Sequence, residues 1–241
     1  HQLRASNGPA LAALLAADAD VTLVRSDDTP ETLRRTLGAA LETSHLVLVC
    51  GGVSAGKFDY VPEILAELGV QRVFHKIAQK PGKPLWFGAM PAPQAPRQLA
   101  SVAGEGLNAK GSGSIPSEER ELGTGGSLPV FGLPGNPVSA LVCARRYVLP
   151  LLRARMGLTT PGSAPAARRV RLCAPAQAGT LTLFVPALLR EGPDGTEADP
   201  RAVNGSGDFA GLGGSDGFLE IPAGDGVHAA GERMSFYPWI P

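Results

Sequence analysis

Hydrophobic and polar positions along the first 157 residues alternate between a helical period and apolar runs typical of buried strands. Behind Asp28-Thr29-Pro30-Glu31, three leucines (33, 37 and 41) recur on one helical face. The run His45–Cys50 is apolar throughout, as in a strand that is buried on both faces of a parallel sheet. Further helices are predicted at 6–17, about 59–68 and 136–156, the last kinked at Pro150, and further strands at 21–25, 72–78, 85–88 and 128–133. This alternation predicts a three-layer α/β fold.

Two stretches interrupt the alternation. Residues 89–127 are rich in Pro, Ala, Gly and Ser and have no sustained period, so we expect a flexible inserted loop. Residues 157–167 have the composition of an interdomain linker. Beyond it, strand candidates at 168–173, 181–185, 217–221 and 233–237 predict a small β domain over 168–241, which leaves 1–156 as the α/β domain.

Composition narrows the classes of partner. Lys+Arg and Asp+Glu both number 22, so the net charge is zero and favours neither nucleic acid nor an anionic membrane as the main partner. No apolar stretch has the roughly 20 residues that a membrane span needs. Cys50, Cys143 and Cys173 form no metal-type spacing, and we expect free thiols, which suit the reducing cytoplasm.

A glycine-rich segment, Gly51–Tyr60 (GGVSAGKFDY), joins a predicted buried strand to a predicted helix. Ligands of open α/β sheets bind at the carboxyl ends of strands, where this loop lies. Its glycines allow a ligand to approach the backbone closely, and its N–H groups favour a phosphate or another anion. The segment is neither a P-loop nor a dinucleotide-binding fingerprint.

A second strand–helix junction is Phe131–Ser139 (FGLPGNPVS), with Asn136 as the predicted N-cap and Pro137 at the first helical position. Between the two junctions lies Lys76–Pro84 (KIAQKPGKP), whose three lysines suit phosphate or another oxyanion. Two such loops at one sheet edge could hold the two ends of an elongated anionic ligand. His75, beside Lys76 on a predicted strand, is expected to point away from the lysines.

Three motifs occur in the order GGVSxG…DY, KxxxKPGKP and GLPGNPVSA. In this order and spacing they resemble the MoeA and gephyrin E-domain family, the molybdopterin molybdenumtransferases. The similarity extends from about Gln2 to Leu152 and is weaker through the last 70 residues. The resemblance implies a molybdopterin-binding (MogA-like) α/β domain followed by a small β-barrel domain, as in the C-terminal portion of that family. Related molybdopterin adenylyltransferases carry a GGTG-type loop where this chain has GGVS.

In that family molybdate replaces the adenylate of adenylylated molybdopterin, AMP is released, and a divalent metal, usually Mg²⁺, is needed. The resemblance therefore implies molybdopterin-AMP and molybdate as substrates, a homodimer, and a molybdopterin adenylyltransferase as a candidate partner. It assigns catalytic positions to Asp28, Asp59, Lys76 and Lys80, and the two aspartates as metal ligands, which agrees with the preference of Mg²⁺ for carboxylates. The expected substrate-binding residues are Gly51, Gly52, Val53, Ser54, Gly56, Lys83, Pro134, Gly135 and Asn136.

The chain departs from the family at several positions. Asp28-Thr29 stands where the family usually has two consecutive acids, and Arg4-Ala5-Ser6-Asn7 lacks the acid of the corresponding family segment. An upstream Thr-Gly-Asp-Glu motif is absent. In the last domain a basic residue is replaced near Pro186, whereas a Gly-Ser segment is retained at 204–207. A molybdopterin-binding or scaffolding module without turnover and an adenylyltransferase are therefore alternative functions. The individual residues also have structural alternatives: Asp28 and Asp59 could cap helices, the lysines could form a solvated edge, and PGNP could simply join a strand to a helix.

Overall fold

The computed structural model describes residues 6–53, 59–91, 126–158, 167–192, 195–201 and 210–239. Most of the predicted loop 89–127 and of the predicted linker 157–167 lies outside these ranges. Ala89 and Met90 belong to a strand, so the loop prediction began too early.

The α/β part contains five helices and five strands among the described residues. The helices are α1 (Asn7–Leu15), α2 (Pro30–Thr43), α3 (Val61–Glu67), α4 (Pro137–Cys143) and α5 (Leu149–Arg155), and the strands are β1 (Val47–Cys50), β2 (Gln71–His75), β3 (Gln79–Lys80), β4 (Trp86–Met90) and β5 (Leu128–Leu133). The β domain contributes β6 (Arg168–Leu172), β7 (Ala176–Gln177), β8 (Thr182–Gly192), β9 (Gly195–Pro200), β10 (Gly217–Ile221), β11 (Val227–His228) and β12 (Arg233–Pro238).

Four strands form a mixed sheet in the order β1-β5-β4-β2. β1 and β5 are parallel, whereas β4 is antiparallel to both β5 and β2, so β1, β5 and β2 all point the same way. The carboxyl ends of these three strands therefore lie at one edge of the sheet. This edge is called the carboxyl edge below.

Helices cover both faces of this sheet, which confirms the three-layer prediction. The apolar stripe of α2, formed by Leu33, Leu37 and Leu41, packs with α3 on one face. On the other face, Leu11 and Leu15 of α1 pack with α4 and α5. Each face has its own buried core because side chains alternate across a strand.

The β domain is a closed barrel. Its five strands follow the order β10-β12-β6-β9-β8, and β8 also pairs with β10, which closes the ring. The interior is filled by aliphatic and aromatic side chains such as Val170, Leu219 and Phe236. The small β-barrel expected after the α/β domain is therefore present.

The barrel and the α/β part share contacts. Strand β3, from the lysine-rich segment, pairs in parallel with β8. Val138 and Val142 of α4 pack with Phe218 and Tyr237 of the barrel. Arg145, 2% exposed, donates from Nε to the Pro238 carbonyl at 2.7 Å.

One local prediction is wrong. Residues 21–25 form no strand: no described strand pairs with them, and Leu23 and Val24 are exposed. The long helix is interrupted just before Pro150 by a π-helical turn, Ala144–Val148, in which the Leu149 N–H donates to the Ala144 carbonyl. Ser6 occupies the N-cap position of α1 and makes no side-chain capping bond.

Candidate functional site

The glycine-rich segment and the PGNP junction leave the carboxyl edge side by side. Cys50 lies opposite Leu133 in the β1–β5 ladder, and the Gly51 N–H donates to the Leu133 carbonyl at 3.0 Å. A Cβ on Gly135 would lie 3.7 Å from the Cα of Gly51. The predicted adjacency of the two loops is therefore confirmed.

Gly51 and Gly52 have positive φ angles of 87° and 66°. Few residues other than glycine adopt this conformation without strain. Together these two residues turn the chain back over the sheet, which places Val53 above β5: a Cβ on Gly132 would come within 2.5 Å of the Val53 side chain. The absence of a side chain at Gly132 gives Val53 room to lie there.

His75 binds the end of the Gly51–Val53 segment, which lies above β5. Its Nε2 lies 2.8 Å from the Val53 carbonyl oxygen, and because a carbonyl only accepts, Nε2 carries the hydrogen. His75 ends β2, three strands away from β1, a distance of about 14 Å at 4.8 Å per strand. The His75 side chain turns to the glycine loop; that it points away from the lysines stays a prediction. Ser54 and Gly56, which follow Val53, lie outside the described residues.

The lysine-rich segment begins at the same edge. The Lys76 N–H donates to the Leu85 carbonyl at 2.8 Å, and the Ile77 N–H donates to the Lys83 carbonyl at 2.9 Å, so the segment folds back on itself between β2 and β4. The side chains of Lys76, Lys80 and Lys83 are all exposed. Three cations are thus displayed on one short loop beside the barrel.

Gln79 anchors the lysine-rich segment through buried hydrogen bonds, and its exposed fraction is only 2%. Its Nε2 donates to the Pro81 carbonyl at 2.8 Å, and its Oε1 accepts from the Tyr147 hydroxyl at 2.5 Å. Gly82 has a φ of 99°, and a Cβ there would come within 2.7 Å of the Cys143 sulfur. Burial raises the pKa of the Cys143 thiol to about 12 and that of the Tyr147 hydroxyl to about 12. Both groups are therefore neutral hydrogen-bonding groups at ordinary pH.

The PGNP junction is fixed at both ends. Asn136 is the N-cap of α4, as predicted, and its Oδ1 accepts from the Ser139 N–H at 3.1 Å. Asn7 donates from Nδ2 to the Gly135 carbonyl at 2.8 Å. The Asn7 Oδ1 is buried and has no partner among the described residues.

Asp28 and Asp59 do not occupy helix N-cap positions, which was the structural alternative to a functional role. Thr29, not Asp28, caps α2, since its hydroxyl accepts from the Thr32 N–H. The N-cap position of α3 is Tyr60, one residue after Asp59. α2 leads into β1, so its first turn faces the carboxyl edge, and Asp59 follows the loop that leaves this edge. Asp28 is exposed and Asp59 is half-buried.

Within the described ranges, no group of three or more His, Cys, Asp or Glu side chains could hold a metal ion. A Mg²⁺ site built from one or two carboxylates and substrate oxygens would not form such a group. Pro186, at the position of the replaced basic residue, lies in β8, and its carbonyl accepts from the N–H of Arg201 at 2.7 Å.

Sequence reasoning missed Gln79, Tyr147 and the contacts of Asn7 and His75. Each acts through a partner 22 to 128 residues away, and no motif marks it. All three cysteines are free thiols, as expected, and Cys50 is exposed at the end of β1. No helix in the described part of the chain is long and apolar enough to cross a membrane.

Comparison with known proteins gives consistent matches. A family described as "Probable molybdopterin binding domain" matches residues 1–154, and the "MoeA C-terminal region (domain IV)" matches residues 172–239. Molybdopterin molybdenumtransferases of Synechocystis and Nostoc are 34% identical over 99% of the chain and 31% identical over 70% of it. The molybdopterin biosynthesis moea protein of Pyrococcus horikosii superposes on all of the chain with a TM-score of 0.66 and 25% identity.

The chain spans half or less of the length of these relatives, 50%, 32% and 49% respectively. The two matched regions agree with the α/β part and the barrel described above. The chain therefore belongs to the MoeA family of molybdopterin molybdenumtransferases.

Proposed function

We propose that the carboxyl edge of the sheet is where molybdenum from molybdate is inserted into adenylylated molybdopterin, with release of AMP, during molybdenum cofactor biosynthesis. Family membership supports the reaction class. The observation that carries the proposal for this chain is that two glycine-containing loops and an exposed three-lysine loop share one edge of one sheet.

In this proposal the loops and the lysines divide the binding of an elongated anion. Backbone N–H groups of the Gly51–Gly56 and Pro134–Asn136 loops hold the phosphate groups of adenylylated molybdopterin. Lys76, Lys80 and Lys83 hold molybdate, a tetrahedral dianion, and the developing charge of the departing AMP. Catalysis is then positioning and electrostatic stabilisation, with no covalent step on the protein.

The proposed Mg²⁺ ligands are Asp28 and Asp59. Their carboxylates are hard oxygen donors, which this ion prefers, and substrate phosphate oxygens would complete its shell. Bound Mg²⁺ would neutralise phosphate charge. The chain's own contribution is to hold Asp28 just before α2 and Asp59 just before α3.

From the family resemblance we also propose a homodimer, a cytoplasmic location and a molybdopterin adenylyltransferase as the supplier of the adenylylated substrate. Light scattering of the purified chain tests the first of these proposals. A monomeric mass at micromolar concentration would contradict it.

The experiment for the reaction mixes the chain with adenylylated molybdopterin, Mg²⁺ and molybdate and follows AMP release and protein-bound molybdenum. We expect both to depend on molybdate. Asp59→Asn and Asp28→Asn should lower turnover by at least tenfold and leave the melting temperature within a few degrees. Asp225→Asn, an exposed barrel carboxylate, is the matched control and should change neither quantity.

The alternative functions give different outcomes. A pure binding module would retain molybdopterin-AMP unchanged when molybdate is added to this assay. In a parallel mixture of ATP, Mg²⁺ and molybdopterin without molybdate, an adenylyltransferase would consume ATP. Either result would overturn the proposed reaction.

A further inference from the structure

A polar cavity lies against the outer wall of the barrel. Its volume is about 430 Å³, and Arg146, Arg169, Glu220, Glu232 and Arg233 supply its charged walls together with His228. Arg146 lies ten residues after Asn136 along α4 and the π-helical turn, which is about 15 Å at 1.5 Å per residue. The cavity is therefore away from the PGNP junction, whereas the lysine-rich segment is nearer to it, since β3 pairs with β8 and β8 pairs with β10.

Both carboxylates of this cavity already have partners. Glu220 lies 3.3 Å from the Arg146 guanidinium and accepts from the Tyr237 hydroxyl at 2.6 Å. Glu232 lies 2.9 Å from Nδ1 of His228. Among the described residues, neither carboxylate forms an ion pair with the remaining arginines, Arg169, Arg171 and Arg233.

Those remaining arginines lie together on two neighbouring strands. Arg171 of β6 is directly opposite Arg233 of β12, and Arg169 is opposite Ser235 in the same ladder. All four face outward, because Val170 and Met234 between them fill the barrel core. Like charges directly opposite one another destabilise a strand pair.

None of these three arginines has a carboxylate partner among the described residues. Arg169 donates to the Ser235 hydroxyl at 3.1 Å and to the Arg233 carbonyl at 2.7 Å. Arg171 donates to the Gly231 carbonyl, but its Nε is buried without an acceptor in the described part of the chain. Of the three, Arg169 and Arg233 line the cavity, and no described carboxylate pairs with either of them.

We propose that this cavity binds a phosphate group, free or as a phosphate monoester, between Arg169 and Arg233 with the Ser235 hydroxyl as a further donor. A tetrahedral dianion offers enough acceptors for two guanidinium forks, whereas a single carboxylate satisfies one. The dianion would also offset the like charges of Arg169 and Arg233, which lie diagonally across the β6–β12 ladder. This site is independent of the proposed reaction, since it uses none of its residues.

Titration calorimetry of the whole chain in chloride buffer tests the proposal, with inorganic phosphate, glycerol phosphate and succinate as the probes. We expect a saturable site that depends on Arg169 and Arg233 and binds phosphate, glycerol phosphate or both, which distinguishes the free ion from the monoester, and weaker binding of succinate. Arg233→Gln and Arg169→Gln should each weaken phosphate binding by at least tenfold. Arg35→Gln, an exposed arginine of α2, is the matched control and should leave it unchanged.

Two further measurements keep the test decisive. Phosphate should raise the melting temperature of the parent chain but not that of Arg233→Gln, whose melting temperature without phosphate should be unchanged or higher. Lys80→Gln, at the carboxyl edge, should keep the phosphate site that Arg233→Gln loses. The proposal is overturned if the parent binds neither phosphate probe, if Arg233→Gln binds undiminished, if Lys80→Gln alone removes binding, or if succinate binds more tightly than both phosphates.

Discussion

Lys76 combines an exposed cation with a backbone conformation that lysine rarely adopts. Its φ of 71° lies in the left-handed region, and its N–H is held by the Leu85 carbonyl. This conformation costs a residue with a side chain about 1–2 kcal/mol relative to glycine. Strain of this kind is often tolerated where a side chain is needed for function.

We therefore expect Lys76→Gly to leave the free energy of unfolding unchanged or to raise it by up to about 1 kcal/mol. The same change at Lys83, which has no positive φ, should lower it by about 0.5–1 kcal/mol because glycine gains more entropy in the unfolded chain. Urea unfolding of both variants measures the difference. Equal destabilisation by the two changes would contradict the strain at Lys76.

The hydrogen bond between Tyr147 and Gln79 gives a second prediction for single residues. Tyr147→Phe leaves the buried Oε1 of Gln79 without its donor, which should cost about 1–3 kcal/mol of unfolding free energy. Tyr60→Phe is the matched control, because the Tyr60 hydroxyl has no hydrogen bond among the described residues, and it should cost little. A cost at Tyr147 no larger than that at Tyr60 would show that the bond does not hold the lysine loop.

The candidate site residues that sequence alone identified are those whose type is set by local chemistry. Glycines with positive φ, an N-cap asparagine followed by proline, and clustered lysines can each be recognised without a partner. Gln79 and His75 could not be found in this way, because their roles depend on Tyr147 and Val53, which only folding brings near. Their own neighbours in sequence give no signal of these contacts.

At the scale of the elements, the contact between Val53 and Gly132 of β5 leaves little room for added side-chain volume. Gly132→Ala would drive a methyl group into Val53 and toward the Trp86 side chain, with Cβ distances of 2.5 and 3.1 Å. Overpacking of this kind should cost about 1–3 kcal/mol. Gly135→Ala, whose Cβ meets only an ordinary 3.7 Å contact, should change the unfolding free energy by less than about 0.5 kcal/mol.

Chemical unfolding of the two variants side by side measures this contrast. A neutral Gly132→Ala would mean that Val53 does not lie over β5. A large cost at Gly135 would instead indicate crowding between the two loops.

At this scale the sequence predicted most helices and strands of the α/β part, because their apolar periods are set by which face is buried. It failed at 21–25, where a β-branched run has no pairing strand in the described residues. It also missed the π-helical turn ahead of Pro150 and the polar strand β9, Gly195–Pro200. The π-helical turn depends on a shifted backbone hydrogen bond and β9 on its pairing with β8, and neither produces an apolar period.

At the scale of the whole molecule, the free energy of unfolding depends on pH in the alkaline range, because the buried Cys143 thiol is neutral in the folded chain. Burial raises the pKa of Cys143 to about 12, whereas an exposed thiol has a pKa of about 8.5. The unfolded chain therefore releases this proton first, so this contribution to stability is complete below about pH 8.5 and is lost as the pH rises toward 12.

We expect the unfolding free energy to fall between pH 9 and 11, and to fall less steeply in Cys143→Ala. Val142→Ala, a buried neighbour without an ionisable group, should lower stability but keep the slope of the parent chain. Guanidinium unfolding at several pH values measures the slopes. The same slope in the parent and in Cys143→Ala would contradict the burial of the thiol.

Adenylylated molybdopterin is proposed to bind at the carboxyl edge, and its equilibrium binding to the parent chain and to Lys80→Gln tests this most directly. A hydrogen bond to a charged group contributes about 1.5–3 kcal/mol, so we predict binding by the parent chain and affinity at least tenfold lower in Lys80→Gln. Arg35→Gln should bind as the parent does. Failure of the parent chain to bind, or equal affinity in Lys80→Gln, would contradict binding at this edge.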